Sequence, residues 1–154
     1  GFNMKMTGMV NYEVEDVFNH FIRNAKRDFS DFDEENPVGC KVEKDITTGG
    51  PKPIKCTVEI TDYEKNKKYE ITTSNEYSTC ISTYTFLGQQ DGTTRLTISE
   101  KQTTQKFIQL TTLYFQRFLA RRAFKNSFKN IIDVLNNELR IHFENLERSK
   151  KKHS

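Results

Sequence analysis

Apolar positions at the start of the chain follow two different periods. Phe2, Met4, Met6 and Val10 fall on alternate positions, as in a half-buried strand. From Val14 the spacing changes. Val14, Val17, Phe18, Phe21, Ile22, Ala25 and Phe29 form one stripe of an amphipathic helix. Asn11 is a candidate N-cap for it. Glu13, Glu15 and Asp16 lie in its first turn and Lys26 and Arg27 near its end, where each sign suits the helix dipole. Residues 30–39 are acidic and contain Asn36-Pro37, which predicts a loop with room for a short helical turn.

From Cys40 the period is two. Cys40, Val42 and Ile46 alternate with Lys41, Glu43 and Asp45. Gly49-Gly50-Pro51-Lys52-Pro53 interrupts the pattern, since neither a helix nor a central strand holds such a run. Ile54, Cys56, Val58 and Ile60 then alternate with polar partners, and 62–68 reads as a polar turn. Tyr69, Ile71 and Thr73 open a further strand, and 77–86 is a long β-rich run. Asp91-Gly92 is the strongest hairpin signal and fits a type I′ turn. The strand that follows, 95–103, sets Leu96 and Ile98 on one face.

No Gly follows Gly92 and no Pro follows Pro53, so 105–146 reads as unpunctuated helix. Its main stripe is Phe124, Phe128, Ile131, Ile132, Leu135 and Leu139. Ahead of it, the Phe- and Leu-rich stretch from Phe107 to Leu119 is apolar on more than one face. Such a helix would reach about 60 Å, against a radius of gyration of about 15 Å for a domain of this size. A kink, a break before about Tyr114 or a projecting end is therefore expected.

The order is strand, helix, a meander of strands, long helix. Short connections make the sheet antiparallel, and strands followed by helix predict α+β layering. The expected boundaries are a single domain over 2–146 and a basic, disordered tail over 147–154. The terminal helix is the element large enough to cover the sheet, and a curved sheet closing on one helix leaves a cavity unless bulky side chains fill it. The run 77–86 holds Ser78, Thr79, Ser82, Thr83 and Thr85 where a packed core prefers branched aliphatics. These hydroxyls either line a cavity or form a solvent-facing row.

Composition narrows the function class. The chain has 154 residues and carries a formal charge of +3. Twelve Phe and six Tyr argue against wholesale disorder. No apolar run approaches the ~20 residues of a membrane span. From Arg117 onward ten basic residues face four acidic ones, net +6, whereas the preceding part holds fourteen against seventeen, net −3. Such an end suits nucleic acid, anionic lipid or an acidic partner, or is a solvated helix face. Cys40, Cys56 and Cys80 are far apart, without the close pairs that zinc or redox motifs need, and read as small apolar strand residues. No signal-peptide pattern opens the sequence, so a cytoplasmic location is expected.

Chemistry is sparse. His20 sits at the edge of the first helical stripe, as a half-exposed histidine or an acid-base group at a cavity mouth; His142 continues the terminal stripe; His153 is in the tail. Asp31, Asp33, Glu34 and Glu35 lack the spacing of a calcium loop, so no metal site is expected. No nucleotide, hydrolase or zinc-peptidase motif occurs, and no nucleophile is paired with a base. The sequence implies no cofactor and leans away from an enzyme. Arg122, Lys125 and Lys129 share a helix face beside Arg121. With the preceding apolar stretch they fit a membrane surface or a protein partner. Nucleic acid is disfavoured because no groove-reading motif accompanies the charge.

The element order, with Glu15-Asp16-Val17-Phe18-Asn19-His20-Phe21 after a first strand, resembles the START-like superfamily, also called Bet v 1-like or polyketide-cyclase-like (SRPBCC). Within it the chain most resembles a small family of unknown function from Gram-positive bacteria. The resembling stretches are Ile60-Thr61-Asp62-Tyr63-Glu64-Lys65-Asn66-Lys67-Lys68-Tyr69 and Phe118-Leu119-Ala120-Arg121-Arg122-Ala123-Phe124-Lys125-Asn126-Ser127-Phe128-Lys129-Asn130-Ile131. The resemblance runs from about Met4 to Leu139 and implies a helix-grip fold. That is a curved antiparallel sheet of about six or seven strands wrapped on a long C-terminal helix, with short helices after the first strand. It also implies a cavity for a hydrophobic or lipid-like small molecule, without a shared catalytic set. The candidate lining is Val58, Ile60, Ile71, Cys80, Tyr84, Phe86, Leu96, Ile98, Phe128, Ile131 and Leu135. The alternative is an interaction protein with a filled core that uses the apolar-basic segment 107–129.

Overall fold

The first strand, β1 (Phe2–Val10), leads directly into α1 (Val14–Asp28). The computed structural model describes residues 2–46, 52–76, 78–103 and 128–152. The helical stripe read from the sequence is the buried face of α1: Val17, Phe18, Phe21, Ile22 and Ala25 are all in the core. Asn11 does not cap the helix. Glu13 occupies the cap position without a side-chain hydrogen bond, and the Asn11 backbone N–H instead donates to Asn136 Oδ1 at 2.8 Å. Asn11 therefore ties the strand–helix junction to the terminal helix. At the other end the Phe29 N–H donates to the Ala25 carbonyl at 2.8 Å, after which the backbone is extended.

Five further strands follow: β2 (Lys41–Ile46), β3 (Ile54–Glu64), β4 (Lys68–Ser74), β5 (Thr79–Gly88) and β6 (Thr94–Gln102). They form one six-stranded, curved antiparallel sheet with β1, in the order β1-β6-β5-β4-β3-β2. The meander keeps sequence neighbours adjacent, and β1 closes onto β6. One helix, α1, follows the first strand, where short helices in the plural were expected; 30–39 forms turns.

Two local expectations change. Residues 62–64 are strand and not turn. The alternation breaks there because the β3–β4 register shifts between Ile60 and Asp62, as at a β-bulge. A bulge inserts one residue and bends the strand. Ile60 and Tyr63, three apart, are thereby both turned toward α1 and the core. The connection then falls at Glu64-Lys65-Asn66-Lys67, with Asn66 at φ 62°, a conformation asparagine tolerates. The Asp91-Gly92 hairpin exists, but not as a type I′ turn, which needs positive φ at both central residues. Gly92 has φ 85°, whereas Asn66 is the one non-glycine with positive φ among the described residues. Gly92 N–H donates to Gln89 O at 3.1 Å and Gln89 N–H to Thr93 O at 2.8 Å. This is the longer loop in which a left-handed glycine follows a turn.

The terminal helix, α2 (Phe128–Lys152), buries Ile131, Ile132, Leu135 and Leu139 against the core. The boundary expected at 147 falls inside it, and Arg148, Lys150, Lys151 and Lys152 stand on its exposed last turns. Tyr12 stacks on Phe143 at 5.5 Å, which holds α2 against the β1–α1 junction. The expected break or kink before about Tyr114 lies outside the described residues.

Candidate functional site

The strand alternation gives the sheet one inward face, and its two ends have different chemistry. At one end α1 fills the curve with rings. Phe18 meets Phe86 edge-on at 5.2 Å and Tyr63 at 5.4 Å, and Phe21 meets Phe86 at 5.0 Å and Tyr84 at 5.2 Å. Tyr69 stacks on Tyr84 at 6.1 Å. Burial pushes the Tyr84 hydroxyl well above its ordinary pKa, the nearby Glu100 charge adding to the effect. Burial likewise raises Tyr69, with Asp28 contributing. Both phenols therefore stay neutral near pH 7.

Further along the strands the same face turns small and polar. Inward positions there are Thr73 of β4, Cys80 and Ser82 of β5, and Glu100 and Gln102 of β6, all buried. The register sets Gln102 opposite Cys80, Cys80 opposite Thr73 and Glu100 opposite Ser82. Cys80 Sγ lies 3.8 Å from Ser82 Oγ and donates toward Glu100 Oε2 at 4.0 Å. Glu100 and Gln102 are 3% and 4% exposed. Both Gln102 side-chain polar atoms lack a hydrogen-bond partner.

Of the sequence-based lining, Val58, Ile60, Ile71, Tyr84, Phe86, Leu96, Ile98, Ile131 and Leu135 belong to one buried cluster, and Cys80 is buried beside Ser82. Phe86 and Tyr84 engage α1, and Cys80, Val58 and Ile71 lie toward the polar end. The Phe128 side chain lies outside the described residues. Glu100, Gln102 and Thr73 were missed by sequence reasoning. The signal was available for all three: the alternation through Leu96 and Ile98 continues to 100 and 102, and that of Tyr69 and Ile71 to 73. The hydroxyl run of β5 divides between the faces. Ser82 points inward, while Thr83 is half-buried on the outer face and donates to Glu70 Oε2 at 2.8 Å.

The other candidates are dispersed. His20 is buried and not half-exposed; its Nδ1 lies 3.1 Å from Arg23. His142 sits on α2, its pKa pushed down by burial and by the charge of Arg23, against a smaller upward pull from Asp16. No group of His, Cys, Asp and Glu suited to a metal occurs among the described residues. Burial raises the Cys56 thiol. Arg121, Arg122 and Lys125 lie outside the described residues, as does the Lys129 side chain. A separate open cleft of about 350 Å³, among Asn11, Tyr12, Asn136, Asn137 and Arg140, lies between the β1–α1 junction and α2.

Comparison with known proteins supplies a family. The sequence matches the family described as domain of unknown function DUF3284 over residues 4–121. The chain belongs to the DUF3284 family. No curated protein matches it. Among solved structures it is similar to a protein of unknown function, SA2116, from Staphylococcus aureus, at 8% identity and a TM-score of 0.59 over 93% of this chain and 96% of that one. The Zhui aromatase/cyclase from Streptomyces sp. R1128 aligns at 10% identity and a TM-score of 0.58, covering 90% and 93%. Ara h 8.0201 aligns at 9% identity and a TM-score of 0.56, covering 90% and 97%. These likenesses show a Bet v 1-like helix-grip fold for this DUF3284 chain. No helix among the described residues is long and apolar enough to cross a membrane.

Proposed function

We propose that this DUF3284 protein is a non-catalytic binding module that holds a hydrophobic or lipid-like small molecule between the inward face of its sheet and the terminal helix. One observation carries the reading. The inward face is filled by aromatic rings beside α1 but is lined by Thr73, Cys80 and Ser82 at its other end. Small side chains on a curved face occupy less volume than the branched aliphatics of a packed core, and the difference is the room such a ligand would use. An apolar tail would lie against Val58, Ile71, Ile131 and Leu135, all buried. Burying each further methylene contributes about 0.8 kcal/mol, so a tail of several carbons supplies binding without a charged contact. The fold is shared with proteins named as an aromatase/cyclase and as Ara h 8.0201. That likeness carries the architecture; the ligand class rests on the lining.

Native mass spectrometry of delipidated protein tests the reading, with long-chain alcohols, amides, acids and alkenes added singly. One ligand retained per chain, in competition with a fluorescent apolar probe, is the expected result. Retention of none of them overturns it.

A further inference from the structure

We propose that Gln102 is the polar anchor of this site and that the head of the bound molecule is a carboxamide, an uncharged group offering a donor and an acceptor side by side. The inference rests on the tail-binding reading above and adds the head-group class. Gln102 is 4% exposed, and neither Oε1 nor Nε2 has a hydrogen-bond partner. Leaving both ends of a buried amide unsatisfied is costly and uncommon in folded proteins. Among the described residues Asn66 Oδ1, on a half-buried turn residue, also lacks a partner, but no other side chain leaves both ends of a buried amide unpaired. Asn24, the other buried amide side chain among the described residues, donates to the His20 carbonyl at 2.8 Å and accepts from Arg27 at 2.7 Å.

The neighbours of Gln102 do not complete it. Cys80, directly opposite on β5, engages Ser82 and Glu100. The inward positions of β4, β5 and β6 hold no basic side chain. What remains is an NH2 donor group and a carbonyl acceptor side by side on a planar group at the small-residue end of the inward face. A second carboxamide satisfies both with two parallel hydrogen bonds. A carboxylate only accepts, so it would serve Nε2 and leave Oε1 unsatisfied. An alkene would leave both.

The test compares three probes with matched tails, oleamide, oleate and octadecene, titrated into delipidated protein by displacement of a fluorescent apolar probe. Oleamide is expected to bind about tenfold tighter than either of the others, the equivalent of one or two net hydrogen bonds. Gln102→Met keeps the volume and removes the amide. It is expected to bring oleamide to the level of octadecene while octadecene binding holds. Equal affinities in the unmodified protein, oleate tightest, or an unchanged preference in Gln102→Met overturns the proposal, the last because an ordered water alone would then satisfy the amide. Should none of the three bind, the tail-binding reading fails and the anchor with it. If the variant does not fold, the side-chain amide resonances of Gln102 in the unmodified protein decide. They shift with oleamide and not with octadecene if the anchor is real, and the absence of a shift refutes it.

Discussion

The ring of Phe21 on α1 meets the ring of Phe86 on β5 edge to face, 5.0 Å between centroids and 83° between planes. Edge-on geometry sets the positive rim of one ring on the negative face of the other and adds to the burial of both. The contact fixes where the curve of the sheet is filled, and so where it is not. Phe21→Ala should lower stability by about 3–5 kcal/mol, read as a lower urea midpoint. Preservation of the midpoint would mean that α1 does not seal this end.

The edge strand β2 is tied to α1 by a partly buried ion pair, Lys44 Nζ to Asp28 Oδ1 at 3.3 Å, with side chains 9% and 17% exposed. Asp28 ends α1, where the helix dipole disfavours an acid, so the pair and not the dipole accounts for its place. Asp28→Ala removes this charge-assisted partner of Lys44 and should cost about 2 kcal/mol. The double variant Asp28→Ala/Lys44→Met should recover part of that loss. Equal losses in the single and double variants in denaturant melts would show that the pair contributes nothing.

His142 predicts a pH dependence. Burial and Arg23 hold its folded pKa below the ordinary 6.5. The unfolded chain therefore binds the proton more readily, and stability rises with pH through this window. The contribution is present above about pH 6.5 and is lost as the pH falls through the lower folded value. His142→Gln should flatten the acid side of a midpoint-versus-pH curve. A curve parallel to that of the unmodified protein contradicts the assignment.

Much of this architecture is legible in the sequence because period and burial coincide. The stripe from Val14 to Phe29 buries where it should, and the alternations of β2, β4 and β6 give the correct faces. Tyr63 was hidden because a bulge re-phases β3, and an inserted residue looks like the end of an alternation. The glycine of the Asp91-Gly92 loop was recognised but its geometry was not, since one positive φ or two is settled by how the strands splay. At the site, the alternation sets Glu100 and Gln102 on the face of Leu96 and Ile98, but the chemistry of their side chains points the other way. A carboxylate and an amide at inward positions look like solvent-facing residues until the packing around them is known.

Methyl resonances mapped during titration with an apolar-tailed ligand decide whether the inward face of the sheet binds it. Shifts are expected at Val58, Ile71, Ile131 and Leu135 on the inward side, with the exposed Val38, Leu87 and Leu146 unmoved. Shifts confined to those three exposed residues, or no shifts at any concentration, would contradict binding there.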